Sequence, residues 1–197
     1  KASVFIQHEG SSVNAERQEG PHAHSVTFDA SGKYLVVADL GIDKLAIYRY
    51  DVGTGALKAI DTPAVLKPGA GPRHTKFHPE LPVIYSVNEL DSTVTAFAFD
   101  VASGATKELQ TITTLPSEFV GMNTTAEIRV HPSGQFMYAS NRGHDSIAVF
   151  GVERASGKLS AKGQTSTGGS TPRNFNVDPS GKYLMAANQK SDSIVTF

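Results

Sequence analysis

Residues 71–79 and 88–94 bring together side chains suited to anion binding and acid–base chemistry. The first run contains Arg73 and His74, and the second contains Glu89. An arginine fork binds two oxygens of a carboxylate or phosphate at once. An imidazole or a carboxylate beside it could activate water as a general base. These residue types indicate a site for a small anionic substrate, with mutual salt bridges between the charged groups as the structural alternative.

An internal repeat positions these residues. A turn sequence such as Val-Asp-Pro-Ser-Gly recurs about every 50 residues along the chain. The equivalent turn positions are Ala30, Pro79, Pro132 and Pro179. Each turn is followed by a short apolar segment, then by Asp39, Asn88, Asn141 or Asn188, and then by a second apolar segment. The second segments are Leu45–Tyr48, Val94–Phe97, Ile147–Phe150 and Ile194–Phe197.

Each repeat contains short β-rich segments separated by turn residues. In the third repeat, strands are expected over residues 127–131, 136–140 and 147–152, with a weaker fourth strand from Lys158 to about Thr165. Four antiparallel strands in a unit of about 50 residues are typical of a β-propeller blade. No segment has the pattern of a long capped helix. We therefore predict an all-β propeller built of four-stranded antiparallel blades.

The repeat also predicts how the single domain is divided. We expect the end of one blade at 1–20, three blades at 21–68, 69–121 and 122–169, and the start of another at 170–197. With the strands of a blade called a to d, Ser3–Phe5 and Ser193–Val195 both correspond to strand c. Two ends that supply the same strand do not complement each other, so we expect part of a larger propeller. A closed ring of four blades with a displaced strand remains the alternative.

In a propeller, the start of strand a and the end of strand b lie on one face, around the mouth of the central channel. The repeat places charged residues of different types there, which indicates a site assembled from several blades. The candidates are His22, His24, Arg73, His74, Glu89, Glu127, Arg142 and Arg173. By contrast, the recurrent Asn at 88, 141 and 188 is expected to cap the turn after strand b through side-chain hydrogen bonds to the backbone. His78 and His131 lie in a turn column and are interpreted as structural.

Composition excludes several classes of function. The 197 residues contain no cysteine, so thiol catalysis and thiolate metal sites are excluded, and a reducing compartment is permitted. A net charge of -1 with scattered basic residues argues against a nucleic-acid surface. No apolar run reaches the roughly 18 residues that span a bilayer. No histidine spacing suggests a metal site. We expect a cytoplasmic protein without metal or other cofactor; its oligomeric state is not predictable.

Residues 69–79 and 87–94 closely resemble the seven-bladed propeller lactonases. This family includes the propeller type of bacterial 6-phosphogluconolactonase and the fungal carboxy-cis,cis-muconate lactonising enzyme. The similarity continues through residues 126–128, 138–143 and 172–178, and it covers almost the whole chain. It implies a ring of seven blades, of which this chain supplies about four.

The resemblance also implies an activity and a set of residues. The expected reaction is hydrolysis of 6-phospho-D-glucono-1,5-lactone to 6-phosphogluconate in the pentose phosphate pathway. Residues proposed as catalytic in the fungal branch correspond here to His24, Arg73, Glu89 and Arg142, with His22 a competitor of His24. In the resulting scheme, Glu89 or His24 activates water and Arg73 polarises the lactone carbonyl. Arg142 or Arg173 holds the anionic end of the substrate, and His74 and Glu127 complete the binding site.

Two alternative functions remain. A carboxy-cis,cis-muconate cyclase would use the same cavity, with Glu89 or His24 moving a proton to carbon. A propeller that only binds a partner or serves as a scaffold is also possible, because this fold often serves recognition without chemistry. A scaffold would present its aromatic and charged residues on the outer blade surfaces rather than at the mouth of the channel.

Overall fold

The computed structural model describes residues 2–197, which form sixteen β-strands and one 3-10 helical turn at Leu40–Ile42. The strands fall into four separate antiparallel sheets that follow one another along the chain. This arrangement confirms the predicted all-β architecture of successive four-stranded blades.

The first three sheets each contain strands a, b, c and d in sequence order. Sheet 1 contains β1 (Ala23–Phe28), β2 (Tyr34–Asp39), β3 (Lys44–Tyr50) and β4 (Leu57–Ala59), with β5 (Ala64–Val65) also paired to β3. Sheet 2 contains β6 (Pro72–Phe77), β7 (Val83–Asn88), β8 (Thr93–Phe99) and β9 (Thr106–Thr113). Sheet 3 contains β10 (Thr124–Val130), β11 (Phe136–Arg142), β12 (Ser146–Val152) and β13 (Leu159–Ser166).

Sheet 4 has three strands in the described chain: β14 (Pro172–Val177), β15 (Leu184–Asn188) and β16 (Ser193–Thr196). The predicted fourth strand of the third repeat is present as β13, one residue displaced from the expected range. The predicted second apolar segments lie in β3, β8, β12 and β16, except that Phe197 falls just after the last strand.

The hydrophobic core lies in layers between neighbouring sheets. All six residues of β7 are buried, because sheet 2 packs against a sheet on each side. Its Ile84 joins the layer with sheet 1, whereas the adjacent Tyr85 joins the layer with sheet 3. This alternation is the two-residue period of a strand applied to two buried faces. The layers fix the position of each blade relative to its neighbours.

The turn histidines also connect the blades. In the turn after β6, the Nδ1 atom of His78 accepts hydrogen bonds from the backbone of Glu80 and Leu81. Its Nε2 atom bonds to the carbonyl of Gly134 in the next blade at 2.8 Å. His131 repeats this arrangement one blade further along, with Gly181 as its partner. The predicted turn role is confirmed, and each of these imidazoles also joins two blades.

The recurrent Asn column is buried and connects strand b to strand c. The partners differ in part from the expectation, because each side chain reaches a hydroxyl at the start of strand c: Thr93 for Asn88, Ser146 for Asn141 and Ser193 for Asn188. Asn141 and Asn188 also donate to backbone carbonyls that follow strand d of the preceding sheet, those of Thr114 and Thr167. Asp39 in the first sheet accepts from two backbone amides instead.

The prediction of strand c at Ser3–Phe5 is wrong. Residues 2–22 contain no strand, and the side chain of Phe5 is 83% exposed. A strand needs a hydrogen-bonding neighbour, and no strand of the described chain pairs with this segment. The segment instead lies along the end of sheet 1, where Gln18 donates to the Leu40 carbonyl and Ser12 donates to Asp43.

Candidate functional site

A β-bulge near the start of strand a positions the first group of side chains. The register between strands a and b shifts near this point in all four sheets. In three sheets, the extra residue is His24, Arg73 or Arg173. In sheet 3, Ala126 occupies the equivalent position by sequence and has no functional group. Because a bulge re-aims a side chain out of the regular pleat, it presents these residues at the mouth.

Glu89 lies at the centre of a cluster of three arginines. It follows β7 and is 4% exposed. Its Oε2 atom lies 2.8 Å from Nε of Arg73 and 3.2 Å from Nη2 of Arg142, and its Oε1 atom lies 2.9 Å from Nη2 of Arg17. Arg73 and Glu89 belong to sheet 2 and its following turn, whereas Arg142 ends β11 of sheet 3. The salt bridges between blades, which were the structural alternative for these charged groups, are therefore present.

The charges in this cluster influence one another. Burial by itself would raise the pKa of Glu89, but the guanidinium groups of Arg142, Arg17 and Arg73 hold that pKa below its ordinary value. Burial lowers the pKa of Arg73 and Arg142, and Glu89 opposes that change in both. Glu89 is thus held as a carboxylate whose lone pairs already face cations, which makes it a poor acceptor for the proton of a water molecule.

Sequence reasoning missed Arg17. This residue lies in the non-repeating segment before β1, so no column of the repeat pointed to it. A turn positions it: the amides of Arg17 and Gln18 both donate to the carbonyl of Asn14, and Gln18 is fully buried. A segment without periodicity offered no sequence signal for this contact.

His74 and Glu127 form a second pair at the mouth. Nδ1 of His74 lies 3.0 Å from Oε1 of Glu127, which is 2% exposed. Glu127 also bonds to Arg129, the backbone amide of Ile128 and the side chain of Asn174. Burial would raise the pKa of Glu127, but its bond to His74 and the nearby positive charges lower that pKa overall. A buried carboxylate bound to an imidazole fixes the orientation of the ring.

His24 is a neutral imidazole beside this pair. Its ring centroid lies 5.2 Å from that of His74 and 5.7 Å from that of the exposed His22. Burial, followed by the charge of Arg73, lowers the pKa of His24 to about 4. Its Nδ1 atom is enclosed without a hydrogen-bond partner in the described part of the chain. No acceptor is therefore in place there to stabilise the protonated ring.

An open cleft of about 660 Å³ runs beside these groups between sheets 2 and 4. Arg73 and His74 line one side, and Arg173 and Asn174 line the other. Arg173 is exposed, and its one hydrogen bond, to Gln189, is long at 3.4 Å. It is therefore available to an anion entering the cleft. Of the eight predicted site residues, seven lie in or beside the arginine cluster and this cleft, while His22 lies at the exposed rim next to His24.

Within residues 2–197, no group of three or more acidic or histidine side chains is placed to hold a metal ion. The same range contains no helix long and apolar enough to cross a membrane.

The chain belongs to the seven-bladed β-propeller lactonase family, because the family model described as "Lactonase, 7-bladed beta-propeller" matches residues 1–197. It is 41% identical over 159 residues to the 6-phosphogluconolactonase of Bacillus subtilis, covering 81% of this chain and 45% of that protein. A Lactococcus lactis relative described as an uncharacterized protein is 39% identical over 169 residues, covering 86% of this chain and 48% of that protein. The chain thus spans about half the length of these relatives.

Solved structures show the same similarity. The periplasmic gluconolactonase of Pseudomonas aeruginosa superposes with a TM-score of 0.88 at 33% identity, covering 96% of this chain and 53% of that chain. A protein from Lactobacillus plantarum superposes with a TM-score of 0.91, also at 33% identity, covering 97% of this chain and 55% of that chain. The four sheets therefore correspond to part of a propeller.

Proposed function

We propose that the whole protein hydrolyses a small anionic sugar lactone, 6-phospho-D-glucono-1,5-lactone, to 6-phosphogluconate. The observation that carries the proposal is the convergence of Arg17, Arg73 and Arg142 on buried Glu89, beside a cleft lined by Arg173. The similarity to the B. subtilis 6-phosphogluconolactonase supports the choice of substrate.

In the proposed reaction, water adds to the lactone carbonyl carbon and gives up a proton to a base at the mouth. Negative charge develops on the carbonyl oxygen, and fixed arginines stabilise it. The bond between the carbonyl carbon and the ring oxygen then breaks. The ring oxygen takes up a proton and leaves as the hydroxyl group of the open-chain acid.

Arg73 has the geometry to bind the carbonyl oxygen. Its Nε and Nη1 atoms bond to Glu89 and to the Ala126 carbonyl, which leaves the Nη2 amino group for substrate. With its guanidinium fixed at two atoms, Arg73 needs little reorganisation as charge develops. Exposed Arg173 suits the phosphate, because a guanidinium fork pairs with two phosphate oxygens.

The scheme in which Glu89 takes the proton from water is less favoured than one that uses an imidazole. Glu89 already neutralises buried guanidinium groups, so its protonation would leave those cations unpaired. We assign Glu89 the role of holding the arginines in position. A histidine at the mouth then remains for proton transfer.

Parallel assays of 6-phosphogluconolactone, unphosphorylated gluconolactone and carboxymuconolactone test this function. We expect the highest kcat/KM for the phosphorylated lactone. A preference for carboxymuconolactone would favour the cyclase, and turnover of none of the three would favour a binding protein. A cytoplasmic location is part of the proposal. Because the P. aeruginosa relative is described as periplasmic, cell fractionation tests that part separately.

A further inference from the structure

The pair formed by His74 and Glu127 has a defined direction. An ionised carboxylate can only accept hydrogen bonds, so the ring proton of His74 lies on Nδ1, facing Oε1 of Glu127 at 3.0 Å. Glu127 cannot turn away easily, because the amide of Ile128 holds Oε1 at 2.9 Å and Asn174 holds Oε2 at 3.0 Å. The imidazole is therefore fixed in one tautomer by a buried, fully bonded partner.

The other ring nitrogen, Nε2, carries the lone pair. It accepts a hydrogen bond from Nη1 of Arg73 at 3.3 Å, which is long for such a bond. The side chain of His74 is 22% exposed, and His74, Arg73 and Arg173 line the same cleft. A water molecule near Nε2 would thus lie beside the guanidinium that binds the lactone carbonyl. A nucleophile, its base and the group that stabilises the oxyanion would then be neighbours.

The two other candidate bases lack this arrangement. The carboxylate of Glu89 is occupied by three guanidinium groups. The enclosed Nδ1 atom of His24 has no acceptor in the described residues to orient its ring or stabilise its protonated form. Of these three, only His74 has a carboxylate partner, and its Nε2 accepts a single long hydrogen bond, from Arg73, rather than facing three guanidinium groups.

We propose that His74 is the general base of the lactonase reaction and that Glu127 is the positioning residue that orients it. Nε2 exchanges its long hydrogen bond from Arg73 for one from the attacking water and takes one proton from that water, whose oxygen bonds to the lactone carbonyl carbon. The protonated ring, stabilised by Glu127, then returns that proton to the ring oxygen as the acyl–oxygen bond breaks. This inference rests on the proposed lactonase function.

The test uses the whole protein and 6-phosphogluconolactone. For His74→Ala we expect kcat to fall by about 100-fold or more, with KM within about threefold of the parent, because general-base catalysis contributes roughly that factor. Imidazole added to the buffer should raise the kcat of His74→Ala by at least about tenfold, since it supplies the missing base. Glu127→Gln should lower kcat by about 100-fold or more with KM unchanged, because an amide no longer fixes the ring proton on Nδ1, and imidazole should not restore it.

His131→Asn is the matched control, because His131 lies in the turn after β10, outside the cleft, and bonds to the turn of the next blade. It should leave kcat and the imidazole response unchanged. If His74→Ala does not fold, as judged by circular dichroism, His74→Gln replaces it with the same expected loss of kcat.

Two results would overturn the assignment. The first is a kcat of His74→Ala within about threefold of the parent. The second is a loss of kcat in both His74→Ala and His24→Asn that added imidazole restores in His24→Asn but not in His74→Ala. If instead the parent itself hydrolyses no lactone faster than buffer, the proposed function fails, and this inference fails with it.

Discussion

Replacing Glu89 by Gln tests the claim that this carboxylate holds the mouth of the channel together. The substitution preserves the size of the side chain but removes the negative charge that faces Arg73, Arg142 and Arg17. Glu89 and Arg73 are 4% and 3% exposed, so their charges are screened little by solvent. Removing one member of such a buried pair costs about 3–5 kcal/mol. Because the side chain of Arg17 is 38% exposed, we discount its contribution and expect a loss of about 3 kcal/mol.

The control is a second ion pair of the same chemical type. Glu80 and Arg154 lie 3.6 Å apart with side chains 60% and 77% exposed. Exposed pairs contribute about 0–1 kcal/mol, so Glu80→Gln should change the free energy of unfolding by less than about 1 kcal/mol. Urea denaturation of both variants and the parent at pH 7 measures the difference. If Glu89→Gln is no more destabilising than Glu80→Gln, the reasoning about the buried cluster is refuted.

The pH dependence of stability provides an independent check that the Glu89 carboxylate stabilises the folded protein. The pKa of Glu89 is lower in the folded protein than its ordinary value of about 4.3. Its contribution to stability is thus fully present above the ordinary pKa and is lost as the pH falls through the lower, folded value. The difference in stability between the parent and Glu89→Gln should be constant from pH 6 to pH 8, within about 0.5 kcal/mol, and shrink below about pH 4. A difference that grew in acid would contradict the assignment.

Three further predictions concern substrate binding, packing between blades and backbone strain. Arg173→Gln should raise KM for the phosphorylated lactone by about tenfold or more with little change in kcat, and leave KM for gluconolactone unchanged; equal effects on both lactones would contradict the phosphate role. Tyr85→Phe should lower the free energy of unfolding by about 1–3 kcal/mol, because the buried hydroxyl donates to the Gly157 carbonyl of the next blade at 2.8 Å; an unchanged urea midpoint would contradict this. Gly71→Ala should lower it by at least about 1 kcal/mol, because φ is +65° and a Cβ atom would meet Leu90 at 2.6 Å; unchanged stability would contradict that strain.

Much of the fold could be predicted from the sequence, because a blade repeats the same local chemistry. The turn residues recur at Ala30, Pro79, Pro132 and Pro179, and the apolar segments between them have the length of single strands. Those signals depend on neighbours close in sequence. The N-terminal strand failed as a prediction because its formation depends on a partner strand, which the apolar pattern of Ser3–Phe5 does not reveal.

The site could be predicted in part. The repeat aligned His24, Arg73 and Arg173, and the structure places all three at equivalent bulges. What each side chain bonds to was not predictable, because it depends on the offset between neighbouring blades. Residue types alone did not indicate that Glu89 would bind three arginines while Glu127 bound a histidine.

The most direct test of the account is hydrolysis of 6-phospho-D-glucono-1,5-lactone by the whole protein, followed by the release of acid at constant pH. Spontaneous opening of the lactone in buffer provides the baseline. We expect catalysed hydrolysis with a kcat of about 1–1,000 s⁻¹, and loss of most of that rate in His74→Ala. Hydrolysis no faster than in buffer, by a protein whose folding has been verified by circular dichroism, would contradict the account.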